Sequence, residues 1–150
     1  MISDTEFLLL VVDDDPEDFL LVKTAVKRAL LPLSVKGLSN GDALMSYLAE
    51  RTRVPDPLAP TMVILLDLNM PGKDGRSCLR DIKANPSLAD IPVIIFSTSE
   101  SPDDIQKSYE LNANSYICKP DDLSKLESIL STLYRYWFGH SLSPSQEPAP

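Results

Sequence analysis

Histidine is almost missing from this chain: one of its 150 residues is a histidine, His140, and it stands near the carboxyl end. Cysteine is nearly as scarce. Cys78 and Cys118 lie far apart, form no Cys-x-x-Cys and have no histidine beside them, which argues against a zinc site or a thiol redox motif. Both read as small buried hydrophobes. No apolar run approaches the roughly 18 residues that a membrane-spanning helix needs. The first residues, Met1 to Glu6, are acidic where a signal peptide would be basic, so a cytoplasmic protein is expected. Positive charge is also in deficit, with 14 Lys and Arg against 22 Asp and Glu and a formal charge of -8. Nucleic acid and anionic membranes demand basic patches, so neither is expected as a partner; a protein or a cation fits better.

What is present is enough for one hydrophobic core. Apolar runs alternate with helical patterns five times, the signature of an α/β protein whose parallel sheet is covered by helices on both faces. "FLLLVV" (Phe7 to Val12) is a continuous apolar strand. The helix after it has Asp15 as N-cap, Pro16 at its first position, and Phe19, Val22, Val26, Ala29 and Leu30 on one face. A short strand at 33–38 and a helix at 40–51 follow, and the proline-rich "RTRVPDPLAPT" is an irregular connection. "TMVILLD" is the third strand and 75–84 its helix. "IPVIIFS" is the fourth strand, followed by a helix at 102–111 capped by Ser101, and "NSYICK" is the fifth. The last helix, 121–138, carries Leu123, Leu126, Leu130, Leu133 and Trp137 at helical spacing. One domain over 5–138 and a flexible Pro- and Ser-rich tail over 139–150 are expected.

In an open parallel sheet the functional site lies outside the carboxyl ends of the strands. The residues there are Asp13 and Asp14, Asp67, Ser97 with Thr98, and Lys119. Carboxylates crowded into a cleft repel one another, and a divalent cation removes the conflict. Oxygen-only ligands without His or Cys point to Mg²⁺ (or Mn²⁺), which also suits phosphoryl chemistry. Asp67 is then a carboxylate nucleophile on phosphorus, Asp14 a metal ligand and Asp13 a helper through water. Lys119 offers a charge, and Ser97 a hydroxyl, to phosphoryl oxygens. No base for acyl transfer is present, so the phosphoryl donor comes from outside.

Each residue alone has an ordinary reading, as a helix cap, a turn former or a solvated charge. Their conjunction does not. "LLLVVDDDPED", "VILLDLNMPGKDG", "IPVIIFSTS" and "YICKP", in this order, resemble the receiver domain of two-component response regulators. The resemblance implies a five-stranded, doubly wound, flavodoxin-like sheet of order 2-1-3-4-5. It implies phosphorylation of Asp67 by a sensor histidine kinase, with Mg²⁺ held by Asp14, Asp67 and the backbone carbonyl of Asn69. It also makes Ser97 the switch hydroxyl and Tyr116 the switch aromatic, acting on the surface of the fourth helix, fifth strand and fifth helix. The long "RTRVPDPLAPT" connection, "SYELNANSYICKP" and "LYRYWF" are similar to the stand-alone regulators paired with cyanobacterial phytochromes, which makes a phytochrome the candidate kinase.

Two departures stand out. The switch hydroxyl is Ser where Thr is commoner, and Thr98 follows where a smaller residue is frequent, which is expected to hinder water or a phosphatase. No effector domain follows the last helix, so direct transcriptional output is not expected, nor any catalysis beyond the chain's own phosphorylation and dephosphorylation. A haloacid-dehalogenase-like phosphohydrolase is the enzymatic rival, since Asp13 and Asp15 have its nucleophile and acid spacing, but its cap domain and later motifs are not evident. A purely binding protein on the same fold is the other. The aromatic end, Tyr134, Tyr136, Trp137 and Phe138, exceeds what one buried face absorbs, so a homodimer through the fourth helix, fifth strand and fifth helix is expected.

Overall fold

The computed structural model describes residues 7–142 and residue 144. Five parallel strands, β1 (Phe7–Val12), β2 (Ser34–Leu38), β3 (Thr61–Leu66), β4 (Val93–Ser97) and β5 (Ser115–Cys118), form one sheet of order β2-β1-β3-β4-β5. Between them run α1 (Pro16–Arg28), α2 (Gly41–Arg53), α3 (Gly75–Ala84) and α4 (Pro102–Glu110), and α5 (Leu123–Leu133) follows β5. This is the expected fold and strand order. No helix among the described residues is long and apolar enough to cross a membrane.

The central strands read as unbroken apolar runs because both faces are covered, and strand geometry sends successive side chains to opposite sides. On one face Leu8, Leu10, Val12, Ile64, Leu66 and Ile95 pack against Leu44 and Leu48 of α2 and Leu79 and Ile82 of α3. On the other, Leu9, Val11, Val63, Leu65, Ile94 and Phe96 meet Val22, Ala25 and Val26 of α1 and Leu126 and Leu130 of α5. The helix starts follow local chemistry. Asp15, Asn40, Asp74, Ser101 and Asp122 each accept a backbone N–H in the first turn of the helix they precede.

Three expectations need correction. Leu30 does not lie on the buried face of α1: the helix stops at Arg28, and Leu30 adopts φ 55° and is 86% exposed. The Leu31 N–H reaches back to the Val26 carbonyl at 3.1 Å, a Schellman-type stop, with Leu31 rather than Leu30 packed against the core. Cys118 is partly exposed, whereas Cys78 is fully buried, and burial pushes its thiol up to about 11.

The carboxyl end also differs from the expected helix over 121–138 and tail from 139. Tyr134–His140 forms a π-helical turn, so the helical chain passes Phe138 and includes Gly139 and His140. The wider turn lets Trp137 and Phe138 both pack against the α1 and α5 face. Phe138 and Tyr134 also meet Phe7, at ring centroid distances of 4.9 and 6.2 Å. Phe7 opens β1, so these rings close the amino end of the sheet. Tyr136 is the member of the quartet left mainly exposed, at 54%. Residues 5 and 6 of the expected domain, and residues 143 and 145–150 of the expected tail, lie outside the described residues.

Candidate functional site

Parallel pairing places the ends of β1, β3, β4 and β5 along one edge, and the ladder continues one residue beyond three of them. Asp13 N–H bonds the Leu38 carbonyl at 3.0 Å, Asp67 N–H the Val12 carbonyl at 3.0 Å, and Lys119 N–H the Ser97 carbonyl at 2.8 Å. Each backbone is therefore fixed by the sheet while its side chain leaves at the mouth of the cleft. Sheet-held groups of this kind are positioned more tightly than loop residues.

Asp13, Asp67 and Ser97 are buried, and Asp14 is exposed at the rim. Carboxylate oxygens of Asp13, Asp14 and Asp67 all lie within 4.8 Å of one another. Lys119 crosses the cleft to them. Its ammonium is 2.7 Å from Asp13 Oδ2, 2.8 Å from Asp18 Oδ2 and 3.5 Å from Asp67 Oδ2. The Asp15 N–H donates to Asp13 Oδ1 at 2.9 Å, which orients that carboxylate.

The charges are not evenly matched. Burial pushes the carboxyl of Asp67 above its ordinary value; Lys119 opposes this, and Asp13 adds to it. Asp13 is raised too, chiefly by burial and against the bond from Lys119. Burial by itself would lower Lys119, but its bonds to Asp13 and Asp18 and the nearby Asp67 charge outweigh it and hold the ammonium above its usual range. One cation among four carboxylates leaves negative charge over. A hard divalent cation with oxygen ligands fits that surplus, and the exposed rim at Asp14 gives it access.

Asn69 is exposed on the loop after β3, and its backbone N–H opposes the rise of the Asp67 carboxyl. Gly72, at φ 75°, turns that loop. Gly75 then starts α3 against the strand end, where a Cβ would stand 2.2 Å from the Asp67 carbonyl oxygen. Only glycine allows this approach. Ser97 ends β4, and its Oγ accepts the Ser99 N–H at 3.2 Å. Tyr116 lies partly buried against the α2 and α3 face, and its hydroxyl donates to the Ser99 carbonyl at 2.8 Å.

The structure thus brings together Asp13, Asp14, Asp67 and Lys119, with Ser97 and Tyr116 joined to each other through Ser99. Tyr134 and Phe138 belong to the opposite, amino end of the sheet, against Phe7, while Trp137 packs on the α1 and α5 face and Tyr136 meets Trp137. Asp18 was not foreseen from sequence. It sits in the first turn of α1, where helical side chains point back toward the amino terminus, and that geometry was the available signal.

Comparison with known proteins gives a consistent answer. The family model of the response regulator receiver domain matches residues 9–131. Response regulator Rcp1 of Synechocystis sp. is 36% identical over 130 residues, which is 87% of this chain and 88% of Rcp1. The phosphorylated cyanobacterial phytochrome response regulator RcpA superposes with a TM-score of 0.79 at 36% identity, covering 91% of this chain and 97% of RcpA. The Mn²⁺-bound form of Rcp1 has a TM-score of 0.76 at 36% identity, over 91% of this chain and 98% of its own.

Proposed function

The chain belongs to the response regulator receiver domain family of two-component signalling proteins, and from that premise we propose that it accepts a phosphoryl group onto Asp67 from a sensor histidine kinase. The observation that carries this reading is the cleft itself, where Asp67 is fixed in the sheet ladder beside Asp13 and Asp14 with the Lys119 ammonium across from it. A carboxylate oxygen of Asp67 attacks phosphorus, and the bond from phosphorus to the donor nitrogen or oxygen breaks, leaving an acyl phosphate on the protein. Lys119 pairs with one phosphoryl oxygen and the Ser97 hydroxyl donates to another. Mg²⁺ (or Mn²⁺), with Asp14, Asp67 and the Asn69 carbonyl as ligands and Asp13 acting through water, supplies charge neutralisation of the phosphoryl oxygens when bound.

The consequence is a change of surface. A hydroxyl drawn toward Asp67 moves Ser97 and with it the chain at Ser99, to which Tyr116 is bonded. The face of α4, β5 and α5 is the output in this reading. RcpA, a cyanobacterial phytochrome response regulator, supports a phytochrome of that kind as the proposed kinase. A homodimer is the finer part of the proposal, supported by Tyr136, which keeps an exposed ring after Trp137 and Phe138 have packed inward. The experiment for the central step is intact mass after incubation with acetyl phosphate and Mg²⁺. A gain of one phosphoryl group that Asp67→Asn abolishes is expected, and an unchanged wild-type mass refutes the reading.

A further inference from the structure

Ser99 lies in the loop between β4 and α4, and every polar group it has is engaged. Its N–H donates to Ser97 Oγ at 3.2 Å, and its carbonyl accepts the Tyr116 hydroxyl at 2.8 Å. Its own hydroxyl donates to Asp104 Oδ2 at 2.6 Å and accepts the Ser101 N–H at 3.2 Å. The two residues read as the switch are therefore tied to one point, and that point is tied to a carboxylate on α4.

Asp104 is held from its other side. Its Oδ1 accepts a charged hydrogen bond from Arg76 Nη2, and Arg76 follows Gly75 at the start of α3. The two side chains are 30% and 23% exposed, and Arg76 Nε is buried without a hydrogen-bond partner among the described residues. The guanidinium thus satisfies itself chiefly through Asp104. The Ser99 hydroxyl, with Arg76 beside it, holds the Asp104 carboxyl below its ordinary value. The amino end of α3 is itself held to the strand end, because Gly75 packs on the Asp67 backbone and its N–H bonds the Leu68 carbonyl at 3.0 Å.

We propose that Arg76 is a positioning residue which, through Asp104, clamps Ser99 and so sets the threshold at which Ser97 and Tyr116 respond to a phosphoryl group on Asp67. The inference rests on the phosphoacceptor reading above and adds to it a specific restraint. For Ser97 to close on Asp67 the loop at Ser99 has to shift, and the shift works against the Ser99 to Asp104 bond for as long as Arg76 anchors Asp104. Loosening the anchor favours the responding arrangement without touching the reacting atoms. A merely structural pair would behave otherwise: its loss would lower stability and leave the affinity for a phosphoryl mimic unchanged or weaker.

The test compares wild type with Arg76→Gln, Asp104→Asn and the conservative Arg76→Lys. Each is titrated with beryllium fluoride in Mg²⁺ while the amide resonances of Ser99 and Tyr116 are followed. Arg76→Gln and Asp104→Asn are expected to bind the mimic about five to ten times more tightly, the equivalent of roughly one ordinary hydrogen bond. Their unliganded amides should lie displaced along the line from free to bound wild type, and Arg76→Lys should restore most of the wild-type behaviour. Equal affinity and undisplaced amides in folded Arg76→Gln overturn the clamp, and should Arg76→Gln fail to fold, Asp104→Asn decides by the same criteria. A parallel intact-mass assay separates the two levels. Wild type that gains a phosphoryl group while the variants match it in binding refutes the clamp alone; wild type that gains none refutes the phosphoacceptor reading and the clamp with it.

Discussion

Lys119 stands 3.5 Å from Asp67 Oδ2 but only 2.7 Å from Asp13 Oδ2, so the cation nearest the proposed phosphoacceptor is bound more closely to that residue's neighbour. Its side chain is buried to 10% exposure, and it is the cation that faces these carboxylates. Removing it leaves Asp13, Asp18 and Asp67 without their common partner. Lys119→Met is therefore expected to cost about 3 kcal/mol of stability in urea denaturation, the usual scale for breaking a buried pair from one side. It should also slow phosphorylation by acetyl phosphate. An unchanged denaturation midpoint would show that the ammonium does not hold the carboxylates together.

Asp67 is predicted to work against the fold that contains it. Its folded-state value is raised, mainly by burial, so the folded protein takes up its proton before the unfolded chain does. Its penalty is therefore fully present above the folded value, and it disappears as pH falls through that value toward the ordinary carboxylate range. Asp67→Asn should stabilise the metal-free protein by on the order of 1 kcal/mol near neutral pH. The advantage should shrink as pH approaches 4, the region of an ordinary aspartate. Thermal melts in chelator at several pH values check both the sign and the trend.

Gly75→Ala puts a methyl group where the Asp67 carbonyl oxygen already lies, with Leu68 Cα at 2.8 Å. Both obstacles are backbone and cannot rotate away. A loss of roughly 1 to 3 kcal/mol is expected from forced overpacking. The yield of phosphorylated protein should fall with it, because the strand end that carries Asp67 is displaced. Wild-type stability in this variant would contradict the close approach of α3.

The aromatic end divides into rings that pack inward and Tyr136, which is 54% exposed and meets Trp137 edge-on. Phe138→Ala should cost about 2 kcal/mol, since the ring touches Phe7 and the α1 and α5 face. Tyr136→Ala should change monomer stability by less than about 0.5 kcal/mol. Sedimentation at micromolar concentration, with and without phosphorylation, tests the proposed homodimer. A wild-type dimer that Tyr136→Ala weakens supports it, and a monomer under both conditions removes it.

Much of this architecture was legible in the sequence because it depends on local rules. The apolar runs at Phe7–Val12 and Thr61–Leu66, the caps Asp15 and Ser101, and α3 at Gly75–Ala84 stand where periodicity and capping chemistry put them. Asp13, Asp14, Asp67, Ser97 and Lys119 were visible because a parallel sheet gathers its strand ends at one edge. What stayed hidden depends on reach between elements. Asp18 joins Lys119 across the sheet, and Arg76 meets Asp104 between two helices; no spacing rule encodes either pair. The stop of α1 at a left-handed Leu30 was hidden for another reason, since such stops favour glycine and here the packing of Leu31 outweighs that preference. The π-helical turn likewise reflects packing of Trp137 and Phe138, not helix propensity.

Asp67 is the proposed site of modification. Borohydride reduction of the protein after treatment with acetyl phosphate and Mg²⁺ converts an aspartyl phosphate to homoserine, and peptide mass mapping locates it. Homoserine at position 67 alone, absent from samples treated without the phosphodonor, is the predicted result. Homoserine at position 13 or 14, or an unaltered Asp67 in protein that has gained a phosphoryl group, would rule Asp67 out as the phosphoacceptor.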